Sequence, residues 1–164
     1  MTAPRCPFCD PDLTRVFYQS PLVVGLWDAF PVGEGHALLV TRRHVETWFD
    51  ATSDEHMALV AALSHARDTV VQTHRPDGFN IGVNVGVAGG QTIPHLHVHL
   101  IPRYAGDVHD PRGGVRHVIP AKGNYLQAAT ASSRLVTGDD DPLLPHILDA
   151  LASSTEVDIV VSFV

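Results

Sequence analysis

Residues 94–103 read Pro94-His95-Leu96-His97-Val98-His99-Leu100-Ile101-Pro102-Arg103, an alternation of imidazole and aliphatic side chains. Strand side chains point alternately to two faces, so as a β-strand this run puts His95, His97 and His99 on one face and Leu96, Val98 and Leu100 on the other. The aliphatic face needs a core to pack on. The imidazole face needs polar partners, because each neutral ring carries one donor and one acceptor. A lone histidine there would read as a solvated surface group. Three in strict alternation beside a glycine-rich loop point to a site for a metal or a substrate.

On the N-terminal side, "GFNIGVNVGVAGG" supplies a partner strand at Phe79–Asn84 and a loop carrying Gly86, Gly89 and Gly90, whose backbone can turn tightly and approach a ligand. Before it, Thr52-Ser53-Asp54-Glu55 is a capping box with Thr52 as N-cap. Leu59, Leu63, Ala66 and Val70 recur at helical spacing to about Thr73, and Pro76 closes the segment. Three further strands are expected at Val16–Tyr18, Leu22–Trp27 and His36–Thr41, with Pro31 and Gly33–Gly35 marking a hairpin. The fold class is therefore α+β, an antiparallel sheet of about five strands with one long amphipathic helix packed on it.

At 164 residues with 45% hydrophobic content, the chain fits one domain plus an extension and has ample apolar material for a core. The domain is expected over 1–125. After Tyr125 the character turns small, polar and acidic, and 126–164 reads as a linker, a helix at Leu143–Ala152 and a terminal apolar strand, "EVDIVVSFV". That last run resembles the opening strand of a phospholipase-D-like domain, which would make the chain a fragment of a larger protein.

A formal net charge of −7 argues against broad electrostatic binding of nucleic acid, so any phosphate site must be local. The sequence holds no run of about 18 apolar residues, and Met1–Arg5 leads into a cysteine pair without a secretory hydrophobic region. A cytoplasmic protein with no membrane partner is expected. The only cysteines, Cys6 and Cys9, form "CPFC", a spacing that suits a metal knuckle or a redox pair. Thioredoxin-like chemistry would want this motif between a strand and a helix, and no strand precedes it. A closed zinc site would need two further ligands from elsewhere in the chain.

The run His-apolar-His-apolar-His followed by two apolar residues resembles the histidine-triad (HIT) family of nucleotide hydrolases and transferases. The likeness extends over roughly Cys6 to Arg116: "GGQTIPHLHVHLIPR" is similar to the family's glycine-glutamine-triad segment, "VGEGHALLV" to its glycine-histidine strand and "WDAF" to its acidic ribose-contact position. "CPFC" with "RRHV" resembles the zinc-binding subgroup. The resemblance implies a homodimeric α+β fold and an enzyme cleaving dinucleoside polyphosphates or related phosphoanhydrides and phosphoramidates. It makes His97 the nucleophile that becomes a covalent nucleotidyl-imidazole, oriented or assisted by His99 and His36 and by Gln91 as a further catalytic group. His99, Gln91, Thr92 and Asn84 would contact phosphate or ribose, and Asp28 the ribose hydroxyls. A structural zinc would be held by Cys6, Cys9, His44 and His95, removing His95 from direct catalysis. His99, where another branch of the family carries glutamine, leans towards hydrolysis. Phosphorolysis, nucleotidyl transfer, a non-catalytic nucleotide-sensing module and a Cys6/Cys9 redox role stay open as alternatives.

Overall fold

Where the imidazole face points is decided by a single antiparallel sheet with strand order β1-β2-β3-β5-β4. The strands are β1 (Val16–Gln19), β2 (Val23–Trp27), β3 (Ala37–Thr41), β4 (Gly78–Gly82) and β5 (His97–Arg103), and helix α1 (Ser53–His74) connects β3 to β4. This is a computed structural model, and it describes residues 6–124. The extension expected over 126–164, with its helix and terminal strand, lies outside the described residues.

β1, β2 and β3 follow one another as a meander, Val24 facing Val40 and Leu26 facing Leu38. The chain then crosses through α1 to the far edge and returns, so that β5 inserts between β3 and β4. β3 pairs Val40 with His97 and Leu38 with His99. Directly opposed residues share a face, which puts His97 and His99 on the same side as Val24, Leu26, Leu38 and Val40. These four aliphatics form one buried cluster, joined by Phe8. The opposite face carries Val23, Leu39, Val98 and Leu100, packed with Leu96 against Leu59, Ala62, Ala66 and Val70 of α1. Two small alanines in that helix stripe let α1 lie close on the sheet.

The helix begins as its capping box requires. Glu55 N donates to Thr52 Oγ1 at 3.2 Å, and Thr52 N donates to Glu55 Oε2 at 2.8 Å. It ends at Arg75, which takes the left-handed conformation with φ 51° just before Pro76. Strand bounds agree with the sequence reading to within about two residues, β5 showing the most informative difference. His95 and Leu96 precede the strand: Pro94 offers no N–H, His95 N donates to Ile93 O at 2.8 Å, and Leu96 N to Val45 O at 2.6 Å. The alternation of faces survives this turn, but His95 is released from the ladder.

By internal contacts the chain divides into two units, Met1–His109 and Asp110–Val164. The described part of the second holds a 3-10 turn at Gly114–Val118 and a short helix at Pro120–Gly123. Among the described residues no helix is long and apolar enough to cross a membrane.

Candidate functional site

The turn ahead of β5 splits the three imidazoles between two clusters. His95, fully buried, faces backwards: its Nε2 donates to Thr41 O at 2.7 Å, with Thr41 Oγ1 a further contact at 3.3 Å. A carbonyl can only accept, so the proton sits on Nε2 and the Nδ1 lone pair is free. That nitrogen lies 3.3 Å from Cys6 Sγ and 3.6 Å from Cys9 Sγ, and His44 Nδ1 is 3.2 Å from Cys9 Sγ. All four ligand atoms fall within 4.8 Å of one another. A tetrahedral zinc with Zn–S near 2.3 Å and Zn–N near 2.0–2.1 Å would separate sulfur from nitrogen by about 3.6 Å, so the donor set has the size and composition of a closed zinc site. Partial desolvation and the neighbouring Cys6 thiol push the Cys9 thiol above its ordinary value.

The His44 arm of this cluster is braced. Arg43, beside His44, makes a two-pronged bond to the buried Glu55, Nε to Oε1 at 2.9 Å and Nη2 to Oε2 at 2.7 Å, holding the Glu55 carboxyl at about 2. The segment bearing His44 is thereby fastened to the first turn of α1. Gln91 ties it to the glycine loop: Nε2 donates to Glu46 O at 2.7 Å and Ile93 O at 3.2 Å, while Oε1 accepts from Gly86 N at 2.8 Å.

His97 and His99 belong to the second cluster. His97, 6% exposed, donates from Nδ1 to the carbonyl of its own neighbour His95 at 2.7 Å. Its tautomer is fixed with the lone pair on Nε2, the form a nucleophile needs. His99 Nδ1 lies 3.0 Å from Nε2 of His36, the buried residue immediately before β3. Two groups meet His36 Nδ1 at 3.3 Å: the Val32 amide, a donor, and Asp28 Oδ2, an acceptor. They demand opposite proton placements. Burial drives His36 below its usual value against the pull of Asp28, which favours the neutral ring. In one neutral tautomer Nδ1 accepts from Val32 and the proton sits on Nε2; in the other Nδ1 donates to Asp28.

In the first of these tautomers Nε2 of His36 donates to His99 Nδ1, and the His99 proton is left on Nε2. That atom is the only buried side-chain nitrogen or oxygen among the described residues without a hydrogen-bond partner. Burial, with His97 and His36 nearby, brings His99 down to about 4. In that tautomer His99 presents an unmet donor beside the His97 ring, whose Nε2 is the nitrogen left by the bond from Nδ1 to His95 O, their ring centroids 5.0 Å apart. An anionic oxygen bound to an electrophilic centre would satisfy the donor while exposing the centre to the lone pair.

The remaining residues singled out from sequence are less committed. Asp28 already accepts from Phe30 N through Oδ1 at 2.9 Å. Asn84, half-buried, follows β4 and borders the glycine loop, its Nδ2 4.0 Å from where a Cβ on Gly90 would stand. Thr92 is exposed on the loop. Three supports were not foreseen: Thr41, which orients His95; the Val32 amide, which meets His36 Nδ1; and Phe8, which lies against His97. Two act through backbone groups that carry no side-chain signal, and an aromatic between two cysteines does not announce where it points.

The sequence model of the HIT domain family matches residues 12–106. An AP-4-A phosphorylase of Mycobacterium tuberculosis is 36% identical over 111 residues, 64% of this chain and 57% of that protein. The chain thus spans little more than half the length of this relative. A bis(5'-nucleosyl)-tetraphosphatase (asymmetrical) of Schizosaccharomyces pombe is 28% identical over 129 residues, covering 79% of this chain and 71% of that one. Among solved structures, a Zn-bound histidine triad family protein from Mycobacterium smegmatis superposes with a TM-score of 0.59 at 26% identity, covering 65% of this chain and 80% of that one.

Proposed function

Since the chain belongs to the HIT domain family, we propose that it is a nucleotide hydrolase that cleaves dinucleoside polyphosphates or related phosphoanhydrides and phosphoramidates through a covalent intermediate on His97. The observation that carries this reading is the pairing of a tautomer-fixed His97, its Nδ1 bound to the His95 carbonyl, with the buried, unpartnered Nε2 of His99. Relatives that process dinucleoside polyphosphates, such as the mycobacterial phosphorylase and the fission-yeast tetraphosphatase, support the substrate class.

The Nε2 lone pair of His97 forms an N–P bond to the α-phosphorus as the bond to the bridging oxygen breaks, and the leaving nucleotide keeps that electron pair. His99 Nε2–H donates to a phosphoryl oxygen, where negative charge builds up in transfer. His36 keeps His99 in the donating tautomer. Water then attacks phosphorus and gives up a proton; the N–P pair returns to Nε2, releasing a nucleoside monophosphate. Asp28 accepts from the ribose hydroxyls, and Asn84, Thr92 and the glycine loop border the phosphates. Gln91 serves by holding that loop, and its amide reaches a phosphate only by giving up its bond to Glu46 or Ile93. Zinc on Cys6, Cys9, His44 and His95 would be structural, joining the N-terminal knuckle to the sheet. Edge strand β4, with Ile81 49% exposed, is the surface on which a second copy would form the homodimer.

Inorganic phosphate in place of water would make the same intermediate yield a nucleoside diphosphate, and the phosphorylase relative favours testing it. The purified chain and His97→Ala are incubated with dinucleoside polyphosphates and nucleoside phosphoramidates, with and without phosphate, and the products separated. Monophosphate from the wild type alone supports hydrolysis through His97. Diphosphate appearing only with phosphate moves the acceptor to phosphate. Nucleotide binding without turnover by either protein replaces the enzyme with a nucleotide-sensing module.

A further inference from the structure

Three contacts hold the His97 ring, and two of them hang on the cysteine-histidine cluster. The torsion that turns an imidazole about its Cβ–Cγ bond is broad and roughly two-fold, so nothing intrinsic to the side chain sets the ring's plane. One constraint is the His95 carbonyl, supplied by a residue whose own Nδ1 faces the two sulfurs. A second is His99, edge-on with centroids 5.0 Å apart. The third is Phe8, whose ring centroid lies 5.0 Å from that of His97 at an interplanar angle of 56°, and 5.9 Å from His95 at 81°.

Phe8 is the one side chain of Cys6-Pro7-Phe8-Cys9 that turns fully inward: it is 9% exposed, whereas Pro7 and Cys9 are exposed. The four-residue turn is closed on itself by one backbone bond, Cys9 N to Cys6 O at 3.2 Å. What joins it to the sheet is the packing of Phe8 on Val24, Leu26, Leu38 and Val40, together with the approach of both sulfurs to His95 and His44. A metal drawing those four ligands together would press the knuckle, and Phe8 with it, onto the His97 ring.

We infer that Phe8 is a positioning residue for His97: occupation of the Cys6/Cys9/His44/His95 cluster seats the Phe8 ring against the His97 imidazole and so fixes the plane in which its Nε2 lone pair is offered. The inference rests on the reading of His97 as the reacting group. It gives the cluster a second effect, distinct from holding the N-terminus in place. Truncating Phe8 while leaving the four ligands intact should slow the chemical step and leave substrate affinity alone, because Phe8 is buried on the sheet against His97.

The test uses the zinc-loaded full chain with Phe8→Leu and, to conserve volume with an unbranched side chain, Phe8→Met. Three quantities are read: zinc per chain, kcat and KM for a dinucleoside polyphosphate, and long-range nitrogen–proton NMR spectra of the His97 imidazole. Both variants should keep one zinc, hold KM within about twofold, lose about tenfold or more in kcat, and show shifted or broadened His97 ring signals. Chelating zinc from the wild type should produce the same change in the His97 spectrum. Unchanged kcat with unchanged His97 signals in both variants overturns the inference, as does a rise in KM at full kcat. A His97 spectrum indifferent to zinc removal overturns the link to the cluster. His97→Ala, run alongside, separates the two readings: if it turns over normally, the assignment of His97 as nucleophile fails, whereas the ring spectra still judge Phe8.

Discussion

His36 Nε2 and His99 Nδ1 lie 3.0 Å apart, two imidazoles sharing one proton between strands that meet only because β5 inserts beside β3. The pair transmits what happens at His36 Nδ1 to the open nitrogen of His99. When His36 Nδ1 accepts from Val32, His99 offers a proton at Nε2; when His36 Nδ1 carries a proton, Asp28 is its partner.

Asp28→Asn should therefore move the acid limb of the kcat profile to lower pH. The carboxylate raises the His36 value that burial lowers, so removing it makes His36 harder to protonate and the neutral, working form persists further into acid. The absolute rate will fall as well if Asp28 holds the ribose. Profiles normalised to their maxima separate the two effects, and an acid limb that stays put or moves upward would sink the relay.

Stability should fall as pH drops from about 6.5 towards 4. His99 is brought down to about 4 from its ordinary 6.5, so in that window the unfolded chain takes up a proton that the folded chain refuses, and protonation favours unfolding. Urea midpoints at several pH values measure this, and His99→Gln should show a shallower decline over the same window.

Zinc should bind at one per chain and resist exchange until a chelator is added. Both thiols should be unreactive towards a thiol reagent until then, and Cys6→Ser or His44→Ala should abolish tight binding and lower the melting temperature. Structural zinc contributes folding free energy because its ligands come together only in the native state. A metal-loaded protein with two freely titrating thiols would remove zinc from this cluster and restore the redox reading.

Glu55→Gln should destabilise the chain by about 1–2 kcal/mol, the usual worth of a cap plus a charge-assisted bond. Glu55 closes the capping box of α1 and takes both prongs of Arg43. Because Arg43 adjoins His44, the same substitution should weaken zinc affinity, as read by competition with a chelating dye. An unaltered affinity would show that the His44 segment holds itself.

Gly35→Ala should cost more than about 1 kcal/mol and reduce activity together. Gly35 has φ +74°, and a Cβ there would stand 2.8 Å from His74 Cδ2. Relief of that overlap must move either the end of α1 or the backbone that carries His36 into β3. Equal urea midpoints for variant and wild type would refute it.

Periodicity and capping determined most of this protein from sequence alone. The alternation from His95 to Leu100, the Thr52–Glu55 box and the glycine-marked turns are local signals, each enforced within a few residues, and they located five strands and one helix to within about two residues. The same alternation showed that three imidazoles shared a face. Their division was decided by tertiary structure: Thr41, more than fifty residues before His95, takes the proton that frees one nitrogen for the sulfurs, while β3 brings His36 to His99. Tautomers are set by hydrogen-bond partners, and here those partners are backbone groups, Thr41 O in a distant strand and His95 O two residues before His97, which side-chain patterns do not reveal. The inward turn of Phe8 belongs to the same class, since a four-residue knuckle acquires an inside only when a sheet lies beneath it.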